Sequence, residues 1–178
     1  MIPEIGHFAL ILALLVAFVQ ATMPMVGAHR GNQAWMAIAR PAALTQFGLV
    51  AVAFGCLTQA YVTSDFSVLN VFQNSHTAKP LLYKISGVWG NHEGSLLLWV
   101  MILSLFGSAV ALFGTNLPPG LPARVLGVQA MIAVGFYLFM LLTSNPFERV
   151  FPPPLDGNDL NPLLQDMGLA MHPPLLYF

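Results

Sequence analysis

Charged side chains are scarce in this chain: six Lys and Arg and seven Asp and Glu stand among 178 residues, 7% in all. A soluble domain of this size carries about a quarter, so water is excluded as the main solvent. Cysteine is nearly missing too. Cys56 alone cannot close an intrachain disulfide or form a Cys-x-x-Cys redox or zinc pair. In the middle of an apolar run it reads as a small packing residue. No His-Glu-x-x-His helix, glycine-rich phosphate loop or nucleophile elbow occurs. With a net charge of −1 and no basic cluster, nucleic acid is excluded as a partner.

What remains is apolar. Hydrophobic residues make up 57% of the chain and the mean hydropathy is +0.73. Four runs, about 5–26, 41–62, 95–114 and 125–144, are long enough to cross a hydrocarbon core of about 30 Å. The pattern predicts an all-α integral membrane fold. It has four transmembrane helices plus the start of a fifth, with two long outer loops at about 63–94 and 145–172. The first run is expected to be a retained helix rather than a signal peptide: Pro3 and Glu4 stand where a leader would be basic, and Thr22-Met23-Pro24 offers no cleavage site. It is expected to end near Pro24, and the second helix to start with Pro41 in its first turn. Gln46, Thr58 and Gln59 are expected to face protein, and Ser104, Gly107 and Ser108 to allow close helix contact. The spans hold essentially no ionisable residue, which argues against a pump or channel core.

Four spans sort the polar segments into two sets. Arg30, Arg40 and Arg124 fall in the two short loops; Lys79, Lys84 and Arg149 fall in the longer ones. The count is equal, but basic density is higher in the short loops, where the positive-inside rule applies. The short loops are therefore expected in the cytoplasm and the N-terminus and long loops outside. The alternating residues after Asp65 read as a short strand or an interfacial layer, and the long loops as a packed outer layer.

Two places carry chemistry. The first is Trp89-Gly-Asn-His92-Glu93-Gly-Ser-Leu-Leu-Leu-Trp99, at the start of the third span. Its tryptophans read as an interfacial belt, or, with His92 and Glu93 between glycines, as a rim that contacts a planar aromatic ligand or a partner loop. The second is His172-Pro-Pro-Leu-Leu-Tyr177-Phe178. Paired prolines suit the first turn of a helix, which would put His172 at the mouth of an apolar helix. There it reads as an interfacial residue or as a metal ligand. His29, beside Arg30, reads as solvated, His7 as interfacial, and His76 as part of a polar loop.

Several segments resemble the CcmF family, the haem lyase subunit of system I cytochrome c maturation. They are Met1-Ile-Pro-Glu-Ile-Gly-His-Phe-Ala-Leu10, Asn74-Ser-His-Thr-Ala-Lys-Pro-Leu-Leu-Tyr-Lys-Ile-Ser-Gly-Val-Trp-Gly-Asn-His-Glu-Gly-Ser-Leu-Leu-Leu-Trp99, Thr143-Ser-Asn-Pro-Phe-Glu-Arg149 and Asp159-Leu-Asn-Pro-Leu-Leu-Gln-Asp166 with Gly168, Leu169 and His172-Pro-Pro-Leu-Leu-Tyr177. The resemblance covers essentially all 178 residues, and a relative dedicated to nitrite reductase shares some of these features. Met167 stands where a proline is common, a departure that touches only local loop shape.

The resemblance implies the N-terminal transmembrane part of a larger haem lyase in the bacterial inner membrane. Such a protein passes haem from a haem chaperone to the Cys-x-x-Cys-His motif of apocytochrome c on the periplasmic side. It works in a complex with thioredoxin-like and apocytochrome-binding maturation subunits, and this part alone is expected to be inactive. The resemblance makes His172 an axial ligand of haem b, with Trp89, His92 and Trp99 as further cofactor-binding candidates. The second axial ligand is expected outside this chain. The alternatives are a non-catalytic membrane scaffold of a cytochrome assembly complex and the haem lyase relative dedicated to nitrite reductase.

Overall fold

A computed structural model describes residues 1–159 and 161–177; Leu160 and Phe178, both in the closing motif, lie outside the described residues. Helices dominate. In chain order they are α1 (Ile2–Arg30), α2 (Gln33–Ala37), α3 (Ala39–Val62), α4 (Leu69–Asn74), α5 (Leu81–Gly87), α6 (His92–Phe113), α7 (Gly120–Leu142) and α8 (Met167–Tyr177). Short 3₁₀ turns cover Gly114–Asn116 and Pro162–Gln165. Among the described residues no strand forms; Val68 and Arg149 make a single antiparallel bridge. Four stretches are long and apolar enough to cross a membrane: Ile2–Arg30, Gln33–Val62, His92–Phe113 and Gly120–Leu142. At 1.5 Å per residue the shortest spans about 33 Å.

α1 does not end at Pro24, which lies inside the helix. Proline withholds one donor from the carbonyl four residues back, and the apolar run carries the helix past that loss. It stops at Gly31, whose φ of +69° is open to glycine. The Asn32 amide then donates to the Gly27 carbonyl at 2.9 Å, closing the helix in a Schellman turn.

The chain divides into two compact units, one of residues 1–8, 52–99 and 140–178, the other of residues 9–51 and 100–139. The second unit is held by small residues and by polar groups that find protein partners, as hydrocarbon requires. Gln46, 3% exposed, donates to the Tyr137 hydroxyl at 3.0 Å. Gln20 donates to the Leu126 carbonyl at 3.0 Å, and Gln129 to the Leu103 carbonyl. Gly107 makes room for the Gln129 amide, and Gly127 for Met25. Ser104 and Ser108 are buried.

Of the other two polar residues of α3 expected to face protein, Thr58 is half-buried and Gln59 departs from the expected inward placement. Thr58 donates to the Phe54 carbonyl of its own helix at 2.9 Å. Gln59 is exposed one turn from the helix end, where its amide needs no protein partner.

Candidate functional site

The first unit carries the site. Its long loops form a layer because their backbones pair: Leu69 donates to the Glu148 carbonyl at 2.8 Å, Val150 to Ser67 at 2.9 Å, and Asn158 to Phe72 at 2.8 Å. Arg149 ties this pairing to the chain start, with Nε 2.9 Å from a Glu4 carboxylate oxygen and Nη1 3.4 Å from Asp65. The alternating stretch after Asp65 is therefore a bridged, helix-bearing layer and not a strand.

Farther along, Asp156 accepts the Thr77 amide at 3.0 Å and lies 3.3 Å from His76 Nε2. The Thr77 hydroxyl first, then the amides of Gly157 and Thr77 and the charge of His76, hold the Asp156 carboxyl down at about 2. Lys79 reaches Asn74 and Asp159, each at 2.9 Å. Burial pulls its ammonium below the usual lysine range, against the opposing pull of Asp159.

Sequence reading missed the polar knot at the start of α6. Asn91 caps the helix, its Oδ1 accepting the Gly94 amide at 2.8 Å. Its Nδ2 donates to the Tyr61 hydroxyl at 3.0 Å and to the Gly87 carbonyl at 2.8 Å. Tyr61 in turn donates to Asn70 Oδ1 at 2.6 Å, and Asn70 donates to Asn91 at 2.7 Å and to Glu93 at 3.2 Å. Asn directly before His-Glu-Gly is a capping signal, although its partners at 61 and 70 are legible only in three dimensions.

This knot fixes the turn from which the candidate site is built. Trp89, His92, Ser95, Trp99 and Pro173 wall an open cavity of about 480 Å³, within the range of small-molecule sites. The structure thus brings the three residues of the α6 motif together and adds Pro173, the neighbour of His172. Trp89 lies nearly parallel to Phe54, with ring centroids 6.5 Å apart and planes at 13°. Its indole N–H donates to the Ala170 carbonyl at 2.7 Å. His92 and Trp99 are exposed on the cavity wall.

His172 does not stand at the mouth of a helix. α8 starts five residues earlier, at Met167, because Asp166 caps it: one carboxylate oxygen accepts the amides of Gly168 at 2.8 Å and Leu169 at 3.2 Å. Pro173 and Pro174 therefore lie inside the helix, and the second long loop ends earlier than its expected limit of 172. His172 projects from the second turn. It is exposed, and among the described residues no hydrogen bond holds its ring. Met171, Leu175 and Leu176 beside it are exposed as well. His172 itself does not line the cavity; its neighbour Pro173 does, and an exposed imidazole is a side chain of the kind that ligates haem iron.

The other histidines are placed elsewhere. His7 Nδ1 lies 3.3 Å from Asn145 Oδ1, and His29 is exposed in the last turn of α1. No group of three or more His, Cys, Asp or Glu that could hold a metal ion occurs among the described residues.

The family model for cytochrome C assembly protein matches residues 89–178, from the first wall of the cavity through His172. The chain is 64% identical over 177 residues to the cytochrome c-type biogenesis protein ccl1 of Rhodobacter capsulatus, covering 99% of this chain and 27% of that protein. It is 62% identical to the cytochrome c-type biogenesis protein CycK of Rhizobium meliloti, covering 99% and 26%. The solved structure of a cytochrome c haem lyase, CcmF, superposes with a TM-score of 0.86 at 25% identity, covering 99% of this chain and 28% of that one. The chain thus spans about a quarter of the length of the curated relatives it matches. With four helices able to cross a membrane, it is a multi-pass membrane protein.

Proposed function

Because this chain belongs to the cytochrome c assembly protein family, we propose that it forms part of a membrane haem lyase. The complete protein passes haem from a haem chaperone to the Cys-x-x-Cys-His motif of apocytochrome c. It acts with thioredoxin-like and apocytochrome-binding subunits at the periplasmic face of the bacterial inner membrane. The arginines of the two short loops support this orientation, with the cavity on the side away from the cytoplasm. The observation that carries the reading is the placement of His172. Its ring is exposed, free of hydrogen bonds among the described residues, and next in sequence to the wall of the cavity.

Each residue has a role in that reading. His172 would hold haem b through an imidazole nitrogen, with a further ligand expected from the rest of the complete protein. Trp99 and the ring of Trp89 give flat apolar walls for a macrocycle, and His92 adds a polar group at the rim. Haem, when bound, supplies the iron that takes the imidazole and the vinyl groups that receive the two apocytochrome thiols. The layer of paired loops reaches the start of α6 through Asn70, which donates to Asn91 at 2.7 Å.

The test is His172→Ala in the complete lyase complex. Loss of haem attachment to apocytochrome c, with the complex isolated intact, is the expected result. A complex that falls apart would instead favour a scaffold whose loops bind partners without touching haem.

A further inference from the structure

α8 contains a carbonyl that its own helix cannot satisfy. In an α turn the Ala170 oxygen would accept from residue 174, and in a 3₁₀ turn from residue 173. Both are prolines and have no N–H. Ala170 is the one position in α8 whose carbonyl loses both donors to proline: Leu169 keeps the amide of His172, and Met171 keeps that of Leu175. At 6% exposure Ala170 is also poorly placed to bond water. The indole N–H of Trp89 meets this carbonyl at 2.7 Å, and the stack on Phe54 holds the indole in place.

We propose that Trp89 is a positioning residue for His172. Its indole N–H replaces the donor that Pro174 withholds from Ala170, and so ties the turn of α8 bearing His172 to the start of α6. The inference rests on the reading of His172 as a haem ligand and deepens it. Trp89 does not need to touch the iron. It fixes where the imidazole two residues beyond Ala170 can point, while the prolines stiffen the far side of the same turn. A helix without Pro174 would have no use for this bond, and that dependence makes the inference testable.

The experiment is a double-mutant cycle in the complete lyase in lipid nanodiscs, with Trp89→Phe, Pro174→Ala and both together. Trp89→Phe keeps an aromatic ring on Phe54 and deletes only the donor. Pro174→Ala gives Ala170 a donor of its own. Hydrogen exchange of the α8 amides before Pro173 is expected to rise roughly three- to tenfold in Trp89→Phe, the worth of one hydrogen bond. The same change on the Pro174→Ala background is expected to raise it less than about twofold. Should Trp89→Phe fail to fold while the double variant folds, the coupling is supported. Equal effects on both backgrounds, no effect on either, or failure of both variants would overturn it. Haemin titration gives the second readout: the part of the Soret change lost in His172→Ala should weaken in Trp89→Phe and recover with Pro174→Ala. A Soret change indifferent to His172→Ala sinks the ligand reading alone, and the exchange cycle still judges Trp89.

Discussion

Gly94 and Val88 approach so closely that a Cβ on Gly94 would fall 1.6 Å from the Val88 carbonyl oxygen. The obstacle is backbone, held by the same turn that Asn91 caps, so no side-chain rotation relieves it. In an open helix, Gly to Ala stabilises by about 1 kcal/mol. Here the sign reverses. Gly94→Ala should destabilise by about 3 kcal/mol or more, at the upper end of overpacking costs. Equilibrium unfolding in detergent checks this, and a variant as stable as the parent would refute the close approach.

Asn91 gives a second, graded prediction. Asn91→Ala removes the cap on Gly94 and the donors to Tyr61 and Gly87, leaving a fully buried Tyr61 hydroxyl with fewer partners. The expected loss is roughly 2 to 3 kcal/mol of unfolding free energy. Asn91→Asp keeps the cap acceptor and loses the donors, so it should fall between the two. Equal losses for Ala and Asp would show that the cap carries no weight.

The legible part of the fold was the part that depends on local composition. Apolar runs bounded by Arg30, Arg40 and Asn145 mark helices because hydrocarbon demands length and continuity, and Gln46 is inward because an amide in a span needs a protein partner. The α6 motif likewise puts Trp89, His92 and Trp99 on one wall. Legibility failed where a local signal had two meanings. Pro173 and Pro174 read as a helix start, yet Asp166 had already capped the helix, and the prolines leave a carbonyl for Trp89 to fill. Nothing near Tyr61 or Asn70 announces that they meet Asn91, because those contacts join residues 21 and 30 positions apart.

The Gln46–Tyr137 bond links two membrane-crossing segments and should show the modest worth of such bonds in lipid. Gln46→Leu, Tyr137→Phe and the double variant form a cycle with an expected coupling of about 0.6 to 2 kcal/mol. Steric trapping or SDS unfolding in bicelles measures it. Zero coupling would mean that the shapes of the two side chains, and not their bond, hold α3 to α7.

Asp156 makes the loop layer sensitive to acid. Its folded carboxyl sits at about 2, against about 3.9 for an unperturbed Asp. The unfolded loop therefore binds the proton more tightly, and the contribution of Asp156 is fully present above about pH 4. It fades as pH falls toward 2, when protonation takes the charge from the oxygen that accepts the Thr77 and Gly157 amides and weakens both bonds. Exchange protection of those amides, corrected for the intrinsic rate at each pH, should hold down to pH 4 and drop below it. The drop should follow the Asp156 proton and be missing in Asp156→Asn, whose neutral acceptor should give weaker protection than the carboxylate and no change with pH. The carboxylate lies at the surface, so the effect should stay within this loop: the unfolding midpoint of the spans should not move with it. A midpoint that tracks the same titration would place Asp156 in the global stability of the protein.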